Sequence, residues 1–259
     1  MQRKILFIIL LVCISPVIFA REGAINIGED FTRPLDRIDI RYKYQQKTGQ
    51  VDQSSITLRR DAHWMLESDW KFSTRFDIPF SRTNAASSDN PNGDYEVGAG
   101  DVMSQFLFIS PHTENWSYGF GLRLLWPTAS QDQMGTGKYQ MAPGFGVNYY
   151  PDNWSKGSFL GIKLAEYFDY AGDDDRSDIQ QTSIRAGFSY NFPDHWFVSC
   201  IPDMRINWEQ DNNWFVPLNF KIGRLFEKKY VTSIEFNTPI VNDYDRYDWE
   251  IEFQLGFFF

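Results

Sequence analysis

Cysteine is almost missing from this chain, with only Cys13 and Cys200 among 259 residues, and histidine is scarce, with three. Cys13 lies in an N-terminal leader, so the processed chain keeps one cysteine and has no disulfide to staple it. Catalysis by a serine–histidine pair needs a base within reach of its nucleophile and a third group to orient it. His63, His112 and His195 all fall in or near short turns at one end of the expected strands, and no enzyme is expected. Long apolar runs are absent beyond the leader, and a mean hydropathy of −0.42 excludes a helical membrane protein. Positive charge is in deficit, 25 Lys and Arg against 34 Asp and Glu, which argues against nucleic acid as a partner. The aspartates between Gly172 and Asp178 lack the spacing and closing glutamate of a calcium loop, so neither a metal nor a cofactor is expected.

What is present begins with Arg3 and Lys4, an apolar stretch from Ile5 to Val12, and Ala20 ahead of charged Arg21 and Glu22. This is the pattern of a secretory signal peptide over residues 1–20. A periplasmic N-terminal segment, 21–34, and a single barrel domain, 35–259, are expected to follow.

The fold class reads from alternation. From Arg246 to the terminus, Tyr247, Trp249, Ile251, Phe253, Leu255, Phe257 and Phe259 alternate with Asp248, Glu250, Glu252 and Gln254. In a soluble sheet that stripe would lie bare on an edge strand, whereas a closed barrel in a bilayer turns it to lipid and leaves no unpaired edge. A terminal Phe on such a strand also resembles the signal read by the bacterial barrel-assembly machinery. About twelve segments alternate in this way, near 37–46, 55–66, 70–82, 100–110, 116–128, 138–150, 157–169, 181–191, 196–208, 214–225, 229–240 and 246–259. Each has the ~10 residues that a tilted strand needs to cross a bilayer. The reading is therefore an all-β, transmembrane, antiparallel up-and-down barrel in the outer membrane of a Gram-negative-type bacterium, with short periplasmic turns and longer extracellular loops.

Tryptophan supports it, because its amphipathic ring prefers the headgroup level. Trp64, Trp70, Trp116, Trp154 and Trp196 flank short turns, while Trp126, Trp208, Trp214 and Trp249 lie toward the longer loops. Three positions resist the pattern. Arg60 shares the outward face of Ile56, Leu58 and Trp64, so a bulge or a register error is expected there, and Pro143 and Pro202 remove ladder donors in mid-strand.

Alternation also assigns an interior. Arg123, Lys163, Arg185, Asp203, Lys221, Glu235, Glu250 and Glu252 point inward, alongside charges such as Arg41, Arg59, Asp61, Arg75 and Asp77. Both signs are plentiful. They can pair and close a narrow barrel, or form charged rings around a hydrated passage. Twelve strands lie between the ~8 whose interior side chains fill and the ~16 that leave an open pore, so the sequence leaves both readings open.

Certain motifs carry a resemblance. They are Gly98 to Asp101, Gln105 to Pro111, Gly119 to Gly121, Trp126 to Ala129, Gly135 to Lys138, Ala142-Pro143, Tyr170 to Asp175, Gln180-Gln181, Tyr190 to Pro193, Asn207-Trp208, Trp214 to Pro217, Gly223 to Phe226 and Trp249 to Phe259. In this order they resemble the outer-membrane barrel family named for the MetA pathway of phenol degradation, over residues 97–259. The resemblance implies a channel or transporter for small, aromatic or hydrophobic, solutes; outer-membrane lipid and, through the C-terminal strand, the assembly machinery are the partners that the strand pattern implies. Within the shared motifs Asp101, Gln105, Lys138, Gln140, Arg205 and Asn207 become lumen candidates beside those named above. The competing expectation is a non-conducting structural or adhesion barrel whose acidic loops bind a partner.

Overall fold

Because alternate side chains of a strand leave on opposite faces, the period-two segments can each show one solvent to the outside and another to the inside. In the computed structural model, which describes residues 26–87 and 90–259, they do so around a closed ring. The expected leader and the first part of the expected periplasmic segment, 21–25, lie outside the described residues.

The strands are β1 (Arg37–Lys47), β2 (Val51–Met65), β3 (Lys71–Thr83), β4 (Glu96–Ala99), β5 (Val102–Ile109), β6 (Trp116–Trp126) and β7 (Lys138–Tyr149). They continue with β8 (Phe159–Gly172), β9 (Gln180–Asn191), β10 (Trp196–Cys200), β11 (Met204–Asn207), β12 (Asn213–Phe226), β13 (Tyr230–Asn242) and β14 (Trp249–Phe258). Both β4 and β5 pair with β3, and both β10 and β11 bridge β9 to β12, so each of these pairs is one interrupted strand. The result is a closed antiparallel barrel of 12 strands. The seam is β1 against β14, in unbroken register from Arg37↔Phe258 to Gln46↔Trp249.

Short turns gather at one end, where Ser68-Asp69, Asp194-His195 and Glu227-Lys228 all adopt positive φ. Two consecutive left-handed residues match the twist of a tight hairpin. The β1–β2 hairpin is equally tight at the opposite end, turning over Thr48–Gln50, so the longer connections at that end begin only after β3.

Burial is inverted relative to a soluble protein. Ile40, Ile56, Leu58, Phe80, Phe120, Phe145, Leu164, Leu218, Phe220 and Phe253 are exposed on the outer face, while Asp39, Asn148, Ser189, Asn219 and Gln254 are buried. Aromatic clusters ring both ends. Trp116 packs on Tyr149 and Trp154 on Tyr190 beside the short turns, while Trp126 meets Tyr139 and Trp249 meets Tyr44 at the other end.

The bulge expected at Arg60 is absent, since β2 keeps continuous register with β1 and β3 through that residue. Arg60 does face outward. It lies near the short-turn rim, where its guanidinium donates to the carbonyls of Arg37 and Asp61 and stands 4.9 Å over the ring of Phe259. A long side chain at the rim can thus keep its charge solvated while its stem covers apolar surface. Pro202 falls in the gap between β10 and β11, with neighbouring Ile201 N–H donating instead to Asn219 Oδ1 at 2.7 Å. Pro143 stays within β7 but faces a stretch without β8 partners, between Met141↔Phe168 and Gly144↔Ala165. Both prolines thus sit where the ladder demands no donor.

Phe220, 52% exposed near the middle of β12, tests the outer face. Phe220→Arg is expected to destabilise the lipid-embedded barrel by about 2–4 kcal/mol, read from urea unfolding in vesicles. A loss close to zero would show that this face does not meet hydrocarbon.

Candidate functional site

The inward side chains meet around a cavity of about 390 Å³ whose lining includes eleven basic residues against eight acidic ones. A chain with formal charge −9 therefore encloses a cavity with a basic surplus. Two walls differ in construction.

One wall, from β12 through β13, β14, β1 and β2 to β3, is a lattice of ion pairs. Register sets Arg59 opposite Asp77 and Asp61 opposite Arg75 on β2 and β3, and both pairs close, at 2.6 and 2.7 Å. The second Asp61 oxygen takes the Nε of Arg37 at 2.8 Å. Arg41 reaches Glu252 across the seam at 2.8 Å and also approaches Asp39 at 3.3 Å. Glu250 receives Gln45 at 2.6 Å and lies 3.6 Å from Lys43, and Lys221 meets Glu235 at 2.6 Å. Charges that alternation places on one face thus find partners on the next strand, as cross-strand pairing favours.

The opposite wall, β6 to β9, is stripped down. Its inward positions include Gly119, Gly121, Ala142, Gly144, Gly146 and Ala165, all of which line the cavity. At Gly121 a Cβ would stand 2.0 Å from the Phe106 carbonyl oxygen, so the strands approach closely there only because the residue is glycine. From this bare surface project Arg123, Lys163 and Arg185.

The N-terminal segment occupies the short-turn end of the interior, which places its described residues inside the barrel. Asp30 is its anchor. The carboxylate accepts from Tyr150 Oη, Asn148 Nδ2 and Thr32 Oγ1, each at 2.7 Å. Ile27 joins Phe197, Leu225 and Val231 in a small apolar cluster, and Phe31 packs over the bare wall, where a Cβ on Gly146 would meet it at 2.7 Å. Glu29 lies 3.2 Å from Lys221. Burial pushes the Glu29 carboxyl up, but the charges of Lys221, Arg41 and Arg37 together outweigh it and hold the group below the ordinary glutamate value. Nothing in the sequence pattern marks this segment except its position before the first strand, since the contacts that dock it on the barrel come from residues distant in the chain.

The sequence candidates divide. Gln105, Arg123, Lys163, Arg185, Asp203, Lys221, Glu235, Glu250 and Glu252 line the cavity. Five others do different work. Asp101 sits in the β4–β5 gap and accepts from the N–H groups of Ala129 at 3.1 Å and Thr136 at 2.7 Å, which organises a long loop. Lys138 pairs with Asp178 at 2.9 Å at that end, and Gln140 donates to Thr136 Oγ1 at 2.9 Å. Arg205 pairs with Asp203 at 2.9 Å and stacks 4.2 Å over Tyr167, while Asn207 donates to Gln210 at 3.0 Å. Residues that alternation missed belong to the plugging segment, Asp30 and Phe31, whereas Gly119 and Gly121 of the bare wall are inward by alternation as well as in the barrel.

Among the described residues no group of three His, Cys, Asp or Glu could hold a metal. His63 Nδ1 lies 3.4 Å from Asp36, and Ser73 stands opposite His63 in register, yet no hydrogen bond joins that imidazole to Ser73. His112 Nε2 lies 3.2 Å from the Thr32 carbonyl.

Comparison with solved structures shows a shared fold. An outer membrane channel from Pseudomonas putida F1 superposes with a TM-score of 0.74 at 10% identity, over 94% of this chain and 100% of that one. The NanC porin gives 0.56 at 11% identity, over 86% and 98%. Outer membrane phospholipase A from Escherichia coli gives 0.53 at 11% identity, over 92% and 98%. At these identities the likeness concerns the barrel alone. No family model and no curated protein matches the chain, so the motif resemblance to the phenol-degradation family has no matching model behind it.

Two predictions follow from the interior. Asp61→Asn strands the guanidinium of Arg75 and leaves Arg37 with Asp39 alone, at 3.6 Å, and is expected to cost about 3–5 kcal/mol in urea unfolding of the reconstituted barrel. The depressed Glu29 pKa means that its contribution to docking is complete above the ordinary glutamate value and is lost as pH falls through the folded value. A nitroxide at Pro34→Cys, in a Cys200→Ser background, is expected to gain mobility on acidification, and Glu29→Gln is expected to flatten that response. A label whose mobility ignores both changes would show that the Glu29–Lys221 pair does not hold the segment.

Proposed function

We propose that the protein is an outer-membrane channel through which small solutes pass passively along the lumen. The observation that carries this reading is a charged, polar-lined cavity inside a closed barrel whose outer face is apolar. Such a structure has no stable home in water, and its interior supplies polar groups that a crossing solute would otherwise find only in water. The likeness to an outer membrane channel and a porin supports the same reading. A leader over residues 1–20, delivery by the barrel-assembly machinery through the strand ending at Phe259, and embedding in outer-membrane lipid complete it. The finer reading, that the solutes are aromatic or hydrophobic, is supported by the phenol-degradation motifs alone.

The second reading, a non-conducting barrel with partner-binding loops, is favoured by one observation: residues 26–36 fill the short-turn end. An enzyme is not proposed. The phospholipase shares the barrel, but the arrangement Asp36–His63–Ser73 lacks the hydrogen bond that would activate a serine.

The expected result in planar bilayers is discrete current steps from the full-length protein, with matching solute uptake by proteoliposomes. Correctly folded protein that is silent in both assays would remove the channel reading and leave the structural barrel.

A further inference from the structure

The three cations on the bare wall are unlike every other interior charge. Lys163 and Arg185 stand directly opposite one another across β8 and β9. Like charges in that position repel, and among the described residues neither forms an ion pair, Glu29, Asp203 and Glu235 acting on them only at longer range. Arg185 Nε is buried without a hydrogen-bond partner, and Lys163 has only the face of Phe31, 5.2 Å from its ammonium. Arg123 is aimed by two neutral groups, Gln105 Oε1 at 2.8 Å and the Tyr167 hydroxyl, which fix its guanidinium without cancelling its charge.

The nearby carboxylates are already engaged. Glu29 and Glu235 both hold Lys221, and Asp203 accepts from Arg205 at 2.9 Å and Ser183 at 2.5 Å. Paired charges fill the β1–β3 and β12–β14 wall, so the lack of partners here is local. Leaving enclosed charges uncompensated is costly, and apposing two of the same sign raises that cost. The space beside them is open because the inward neighbours are Gly144, Gly146, Ala142 and Ala165, with no side chain to occupy it.

We propose that Arg123, Lys163 and Arg185 form a binding site for a small oxyanion, a carboxylate or a phosphate group, on the glycine wall of the lumen. Two guanidinium forks and one ammonium offer charge-assisted donors to such a group, and guanidinium geometry matches both carboxylate and phosphate. The anion supplies the counter-charge that the fold withholds. This rests on the channel reading and specifies the charge of what the channel carries: solutes bearing one such group are drawn to the glycine wall, and cations are repelled.

The test uses full-length protein and the variants Lys163→Gln, R123Q/K163Q/R185Q and Lys163→Arg. In bilayers under a KCl gradient the wild type is expected to show a reversal potential favouring anions, which the triple variant loses and Lys163→Arg keeps. Separately, inorganic phosphate and acetate are titrated against the thermal unfolding midpoint in detergent. The midpoint is expected to rise in the wild type, with about tenfold more anion needed after Lys163→Gln. The stronger of the two titrants tells phosphate from carboxylate, and Lys163→Arg confirms that charge, rather than a damaged fold, is what is lost. Current without anion preference, together with no anion-dependent stabilisation, overturns the site and leaves the channel standing. Stabilisation confined to the wild type and Lys163→Arg, without any current, keeps the site and removes the channel. Neither current nor stabilisation removes both.

Discussion

Every backbone N–H and C=O that lies in hydrocarbon must find its partner within the protein, and in a sheet that requirement can be met everywhere only if the last strand returns to the first. Here β14 returns to β1 along its whole length, and the other features follow from that ring. A closed ring has an inside. Alternation then divides the side chains between two solvents, and the same twelve strands carry a greasy outer wall and an ionised interior. The seam also brings Arg41 to Glu252, so closure of the backbone and pairing of the interior charges are one event.

The interior is asymmetric. Across β12–β13 and across β14, β1, β2 and β3 neighbouring strands pair opposite charges, while Glu235 and Glu252, which face each other on β13 and β14, turn to Lys221 and Arg41 on their other sides. Across β6 to β9 glycine and alanine replace that lattice, which brings strands close, leaves room, and isolates Arg123, Lys163 and Arg185. A barrel of this size has too little volume for both walls to carry long side chains and still enclose a cavity. Concentrating bulk on one side leaves the space on the other.

The N-terminal segment uses this asymmetry. It enters from the strand-start end, hangs from Asp30 on Tyr150 and Asn148, lays Phe31 on the bare wall, and reaches Lys221 on the lattice with Glu29. Ile27 adds a small apolar contact in an otherwise polar interior. These contacts join the two walls across the short-turn end, so the segment belongs to the barrel's interior as much as any strand residue does.

The alternation from Trp249 to Phe259, the tryptophans at the segment ends and the inward set on β3 and β6 were legible because period two is a local property that any one strand displays. Arg60 shows where that local signal misleads. Its outward charge reads as a register fault, and only the finished barrel brings the Arg37 carbonyl and the Phe259 ring to meet it. Asp101, Lys138 and Gln140 point inward by the same arithmetic, yet they sit at the loop end and hold loops, because height along the barrel depends on how neighbouring strands stagger. By itself the sequence determined the barrel, its faces and the sign of each inward charge, all consequences of short-range geometry. The tertiary structure alone decided which charges pair, which remain unpaired and where the first residues lodge, because those depend on register between strands far apart in the chain.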